Sequence, residues 1–262
     1  TSGSGSEATH FAVVYVEGKK YSLASPFILP DYTVLDYRLT KDTPPYVRAA
    51  AGLDALAQGV ESYWNIYSTT LSKRYAAKAV TLALANLSGA VLRQEPECLK
   101  ALQQAAHYGG RAINITKTTA PHALSYYFTT RLGLAHGHAV GLTLGPFFEI
   151  NAAAAKNNLN DPRGAAYVRG AVKKLCGIFG VSSPAQASER VRNIMNELGL
   201  ETDFVKLGIG PAQVEELIQS VNIERLVNNP VKVKNEDIRE IFLGKKAGRN
   251  NPPSRPGLYN AF

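Results

Sequence analysis

The sequence predicts a mainly α-helical fold preceded by one short β-hairpin, and three observations carry that prediction. Apolar residues recur at helical spacing almost everywhere after Thr43. Gly180, Gly199 and the pair Gly208 and Gly210 punctuate the later chain as stops between separate helices. Strand-like texture is confined to the stretch before Thr43.

In that stretch His10 to Val16 reads HFAVVYV, Glu17-Gly18 supplies a turn, and Lys20-Tyr21-Ser22-Leu23 returns. β-Branched and aromatic residues around a glycine-containing turn form a hairpin. Tyr32 to Asp36, after Pro30, reads as a second extended piece. Thr43 is read as an N-cap, with Pro44 and Pro45 in a first turn that has no use for their missing N–H groups. The first helix then runs to Tyr63. Later helices are expected over 68–91, 95–113, 121–130, 137–155, 162–179, 185–198, 211–221 and 235–243. From Ala247 the chain is rich in Pro, Asn and Gly and basic, which predicts a loosely held tail. The expected division is 1–42 for the hairpin and extended segment, 43–246 for the helical part and 247–262 for the tail.

Hydrophobic residues at 45% and charged residues at 19% describe a globular protein, not a disordered one. No apolar run reaches the roughly 18 residues that suggest a membrane span, and TSGSGSEATHF has neither the basic region nor the apolar stretch of a signal peptide. Cys98 and Cys176 are too few for a disulfide framework and lack metal-ligand spacing, so a reducing cytoplasm is the expected compartment. The net charge of +8 comes from scattered residues such as Lys73-Arg74, Lys173-Lys174 and Lys245-Lys246. Such scatter suits a solvated surface or the attraction of an anionic substrate and cofactor; neither nucleic acid nor a membrane is an expected partner.

The candidate chemistry begins with Asp54 and Gln58 in AAAGLDALAQGVESYW. Four residues on a helix is a rotation of roughly 40°, so both side chains leave one face. His122 opens PHALSYYFTTRLGLAHGHAVG, where Pro121 suits a first turn and His122 and Tyr126 share a face. Gly133 ends that helix, and Gly137 directly after His136 suggests a loop that turns the imidazole inward. An aspartate, two histidines and an amide oxygen form an N/O donor set for a divalent first-row metal. Spacing alone leaves a second reading open: a surface Asp–Gln pair and ordinary hydrogen-bonded histidines.

A resemblance separates the two. GLDALAQGVESYW is similar to the G-x-D-A-L-x-H-A-x-E-x-Y segment of the iron-type (group III) alcohol dehydrogenases, a family sharing the dehydroquinate synthase-like fold. His122 and His136, fourteen residues apart with glycine after the second, match that family's second signature, and TSGSGSEATHFAVVY resembles its T-T-x-G-T-G-S-E-x-T turn and following hairpin. The match spans most of residues 1–155, and NNPVKVKNEDIREIF fits the family's C-terminus more loosely. By position, the resemblance implies metal ligation by Asp54, His122 and His136. The fourth family ligand, a histidine, is here Gln58, which offers a weaker amide oxygen or leaves its place to water. A further family histidine is here Tyr126.

Asp-x3-Gln together with INITKTTAPHALSY and GLAHGHAVGLTLG is most similar to the phosphonoacetaldehyde reductase branch of that family. Lys117, Thr118 and Thr119, beside a helix N-terminus, would then hold an anionic phosphonate or sulfonate head. The implied activity is reduction of a small anionic aldehyde by NAD(H) or NADP(H) on a divalent metal, iron or else zinc, nickel or manganese. Tyr126 or His138 would supply the proton, and Thr1, Ser2, Ser4 and Lys20 would line the cofactor side. Residue 1 falls inside a family motif, so a truncated chain is expected, binding metal but little cofactor, inactive in isolation and prone to self-association through newly exposed apolar surface. Two other readings compete: a metal-binding lyase of the dehydroquinate synthase type, and a non-catalytic homologue in which Gln58 and Tyr126 mark decay. A metal-dependent hydrolase is disfavoured for want of a carboxylate base at helical spacing beside the ligands.

Overall fold

The computed structural model describes residues 3–16, 19–221 and 226–244. The tail expected from Ala247 lies outside them, as do Thr1 and Ser2, and the side chain of Lys20 is likewise not described. β1 (Phe11–Val16) and β2 (Lys19–Ala24) pair antiparallel with Phe11 opposite Ala24, as the hairpin pattern predicts. The extended piece expected at Tyr32–Asp36 joins no sheet: those residues are irregular and lead into a short 3-10 turn at Tyr37–Thr40. A strand needs a neighbour for its backbone groups, and the described sheet has only two strands. Phe27, Tyr32, Val34 and Leu39 along this stretch are largely exposed.

The helices are α1 (Pro45–Trp64), α2 (Thr70–Ser88), α3 (Pro96–Thr116), α4 (Ala120–Leu132), α5 (His136–Ala152), α6 (Ala165–Ile178), α7 (Pro184–Glu197), α8 (Pro211–Ser220) and α9 (Asn235–Leu243). The start of α1 differs from expectation, since Pro44 holds the cap position and Thr43 instead gives its carbonyl to the Arg48 guanidinium. α2 begins at a Thr69–Ser72 capping box and ends in a π turn over Gly89–Arg93. Thr70–Arg93 is long and apolar enough, by length and composition, to cross a membrane, yet here it packs against α1 and α3. Gly133, Gly180, Gly199 and Gly208 adopt the left-handed backbone expected of stops, whereas Gly210 is an extended residue that begins α8.

α1 is the axis of the molecule. It packs on α2, α3 and α5, and every residue from Gly52 to Asn65 is buried. Its small residues let neighbours approach: a Cβ on Gly137 of α5 would lie 1.8 Å from the Ala50 carbonyl oxygen, so the two backbones touch there. A helix enclosed on all sides is usually apolar all round. Asp54, Gln58 and Glu61 break that rule, and each buried polar group among them needs a partner.

Candidate metal centre

Asp54 projects from α1, His122 from the first turn of α4, and His136 is the first residue of α5. One ligand atom from each lies within 4.8 Å of the others. His136 therefore sits at a helix start and not in the loop expected from Gly137; α5 begins one residue earlier than expected, with Ala135 at the N-cap position. The close contact of Gly137 with Ala50 brings this helix start down onto α1 beside Asp54. The His122 and His136 rings meet edge to face at 5.2 Å, and Tyr126, one turn after His122, stacks on His136 at 5.9 Å and 14°.

His122 stands between two carboxylates. Its Nε2 is 3.1 Å from Asp54 Oδ1, and its Nδ1 pairs with Glu61 Oε1. Burial opposes a charge on this ring, but the attraction of Glu61 and hydrogen bonds to Asp54 and Glu61 outweigh it and raise its pKa to about 9. Burial likewise pushes the Asp54 carboxyl up. The hydrogen bond from His122 and the charges of His136 and His122, with a smaller contribution from the Gln58 amide, overcome that and hold it below the ordinary value. Two imidazoles and a carboxylate converging in a buried place are a donor set suited to a divalent first-row cation.

Glu61 is the residue that sequence reasoning passed over. It lies seven residues after Asp54, close to two full turns, and so on the same face of α1. The signal was present: a carboxylate within a helix segment otherwise too apolar to face water.

Gln58 behaves differently from a fourth ligand. Its Nε2 donates to the Ser4 carbonyl at 2.8 Å, while its Oε1 is buried without a partner and faces Gly109 of α3. Ligation through oxygen requires the amide to turn. Ser4 lies in the Gly3-to-Gly5 turn, which is wedged against α1 and α3. Gly5 has φ +59°, and a Cβ on it would lie 2.3 Å from the Ala106 carbonyl oxygen.

Two expectations are corrected. His138 does not reach the cluster: its Nε2 donates to the Glu201 carbonyl at 2.8 Å and its Nδ1 accepts from the Tyr46 hydroxyl at 3.1 Å. Both nitrogens are thus committed, and burial lowers its pKa, so it is a neutral structural histidine and not a proton relay. Thr119 is not open to an anion either. Its backbone N–H and its hydroxyl both donate to Glu61 Oε2, at 2.6 and 2.8 Å, so a carboxylate already occupies the start of α4. Thr118 is buried, its carbonyl accepting from Asn228, whereas Lys117 is exposed and adopts a left-handed backbone (φ 63°) at the end of α3.

Comparison with known proteins identifies the family. Residues 48–245 match the "Fe-containing alcohol dehydrogenase family, C-terminal". The phosphonoacetaldehyde reductase of Streptomyces viridochromogenes is 37% identical over 251 residues, 94% of this chain and 62% of that protein. The sulfoacetaldehyde reductase of Bifidobacterium kashiwanohense, solved in complex with NAD+, is 27% identical with a TM-score of 0.81, covering 93% of this chain and 62% of that one. An iron-containing alcohol dehydrogenase from Thermococcus thioreducens is 28% identical with a TM-score of 0.79, over 93% and 62% of the two chains. This chain thus spans less than two thirds of the length of these relatives. With residues 48–245 matching the family over most of the chain's length, the chain belongs to the Fe-containing alcohol dehydrogenase family.

Proposed function

We propose that this chain carries the metal-binding part of an NAD(P)H-linked reductase acting on a small anionic aldehyde, with phosphonoacetaldehyde as the first candidate and sulfoacetaldehyde as the second. The convergence of Asp54, His122 and His136 carries the proposal. When bound, a divalent metal supplies Lewis acidity toward a carbonyl oxygen, and a nicotinamide supplies hydride.

The chain's own residues do the rest. Asp54, His122 and His136 hold the cation from three helices of a packed core. Gln58 ties the turn at Ser4, the cofactor side by family resemblance, to the same helix that carries Asp54. Tyr126, flat against His136, is a hydroxyl-bearing side chain beside the cluster and the candidate for handing over a proton. Lys117, exposed and cationic, is the candidate for the anionic head, aided by a net charge of +8 that draws anions to the surface. The choice of an anionic aldehyde is supported by the likeness to the Streptomyces viridochromogenes and Bifidobacterium kashiwanohense reductases.

The test is aldehyde-dependent oxidation of NADH and NADPH with metal added, using phosphonoacetaldehyde, sulfoacetaldehyde and propanal. It is run on the 262-residue chain and on the longest gene product that contains it. A preference for the anionic aldehydes that falls about tenfold in kcat/KM on Lys117→Ala is expected, the size of one lost charge-assisted contact. Equal use of propanal, or no effect of the substitution, sinks the anionic-substrate reading.

A further inference from the structure

Glu61 carries no role in the reading above, yet it is the most enclosed ionisable group beside the candidate metal centre, at 0% exposure. Each of its carboxylate oxygens has a separate task. Oε2 accepts from the Thr119 backbone N–H at 2.6 Å and from the Thr119 hydroxyl at 2.8 Å. Oε1 pairs with His122 Nδ1. Thr119 Oγ1 in turn accepts from Trp64 Nε1 at 3.2 Å, so two residues of α1 grip the start of α4. His122 stands three residues beyond Thr119, in the first turn of the helix so gripped.

We infer that Glu61 is the positioning residue of the metal centre: it fixes both the place of α4 and the tautomer of His122. The inference rests on the metal-site reading and deepens it. A carboxylate can only accept hydrogen bonds, so it requires a proton on Nδ1. The other ring nitrogen, Nε2, faces Asp54, and once the proton it shares with that carboxylate is given up its lone pair is available to a cation. One carboxylate thus orients a ligand, makes it a better donor and counters the positive end of α4. Because Glu61 reaches His122 through the ring's far side, it touches neither substrate nor cofactor.

Glu61→Gln changes this logic with little change of shape. A glutamine whose oxygen keeps the Thr119 donors turns its NH2 toward His122 and forces Nδ1 to accept. The ring proton then moves to Nε2, where it blocks the metal position. The first measurement is the affinity of the 262-residue chain for Co(II), by competition with a chelator. A loss of 10- to 100-fold is expected, the range seen when the outer partner of a ligating histidine is removed. The second is NMR of histidine labelled with nitrogen-15, read without metal at a pH where the ring is neutral. It should place the His122 proton on Nδ1 in the wild type and on Nε2 in Glu61→Gln. Thr119→Ala serves as the structural control: it loosens the same helix start but leaves the Glu61–His122 pair, so its Co(II) affinity should stay within about threefold, below the range for a lost outer partner.

Wild-type affinity and an unchanged tautomer in Glu61→Gln overturn the inference. A loss in Thr119→Ala as large as in Glu61→Gln overturns it too, since general loosening would then explain both. If the wild type takes up no Co(II), the metal reading falls, and the tautomer measurement alone decides what Glu61 does to His122. Should Glu61→Gln not fold, Glu61→Asp keeps the charge and draws the carboxylate back by one methylene. The same loss of affinity is expected there, and undiminished binding overturns the inference.

Discussion

Gln58 Nε2 donates to the Ser4 carbonyl oxygen at 2.8 Å, joining the glycine-rich turn near the N-terminus to the helix that carries Asp54. The bond turns the amide oxygen away, toward Gly109, where it is buried and unpartnered. A side chain at the position of a family ligand is here a tether between α1 and that turn.

That arrangement predicts the outcome of restoring the family residue. Gln58→His replaces a tethering amide with an imidazole, a better donor for a first-row cation. Co(II) affinity should rise about tenfold or more, by the roughly 1.4 kcal/mol that a tenfold change represents. The turn at Ser4 should meanwhile exchange its amide protons faster. Unchanged affinity in chelator competition would show that position 58 does not look onto the cluster.

Loss of a direct ligand should cost more than loss of any partner behind it. Asp54→Asn and His136→Ala are each expected to weaken Co(II) binding by about 100-fold or more, beyond the range for outer partners. Titration by the visible absorption of Co(II) checks this. An effect of either substitution smaller than that of Glu61→Gln would contradict the assignment of ligands.

The metal-free protein should show a distinctive pH dependence. The folded pKa of His122, about 9, exceeds its ordinary value of 6.5, so its stabilisation is fully present below pH 6.5 and is lost as the pH rises through about 9. Asp54 works in the opposite sense. Its lowered pKa contributes stability above the ordinary value of 3.8, lost as the pH falls through the depressed value. Urea midpoints without metal should therefore decline between pH 6.5 and 9, with a linkage of at most roughly 3 kcal/mol. In His122→Gln that decline should vanish, and persistence of the full slope in this variant refutes the account.

Backbone contact predicts an unforgiving glycine. A Cβ at Gly137 would meet the Ala50 carbonyl oxygen at 1.8 Å, so Gly137→Ala must push α5 from α1 and carry His136 away from Asp54. A stability loss of about 3 kcal/mol is expected, together with weaker Co(II) binding. Thermal unfolding and chelator competition measure the two. A variant of wild-type stability would mean that the helices do not meet as closely as described.

Much of this protein is legible along the chain. Periodicity and punctuation place the helices because a buried stripe must recur every 3.6 residues and because Gly133, Gly180, Gly199 and Gly208 stop a helix by taking a left-handed backbone. The pairing of Phe11–Val16 with Lys19–Ala24 follows from composition and a short turn. The candidate donors at positions 54, 122 and 136 are a matter of sequence too, since carboxylate and imidazole are the chemistry, and the four-residue spacing of Asp54 and Gln58 sets one face of α1. What the sequence leaves open is where each polar atom points. The start of α5, with His136, lies close against α1 because Gly137 allows contact with Ala50, a fact of two distant segments. His138 and Thr119 look as available as His136 until Glu201, Tyr46 and Glu61 are seen to occupy them. Hydrogen-bond partners in a buried site are drawn from elements far apart in the chain, and so only tertiary packing decides which donor is committed and which is left for a ligand.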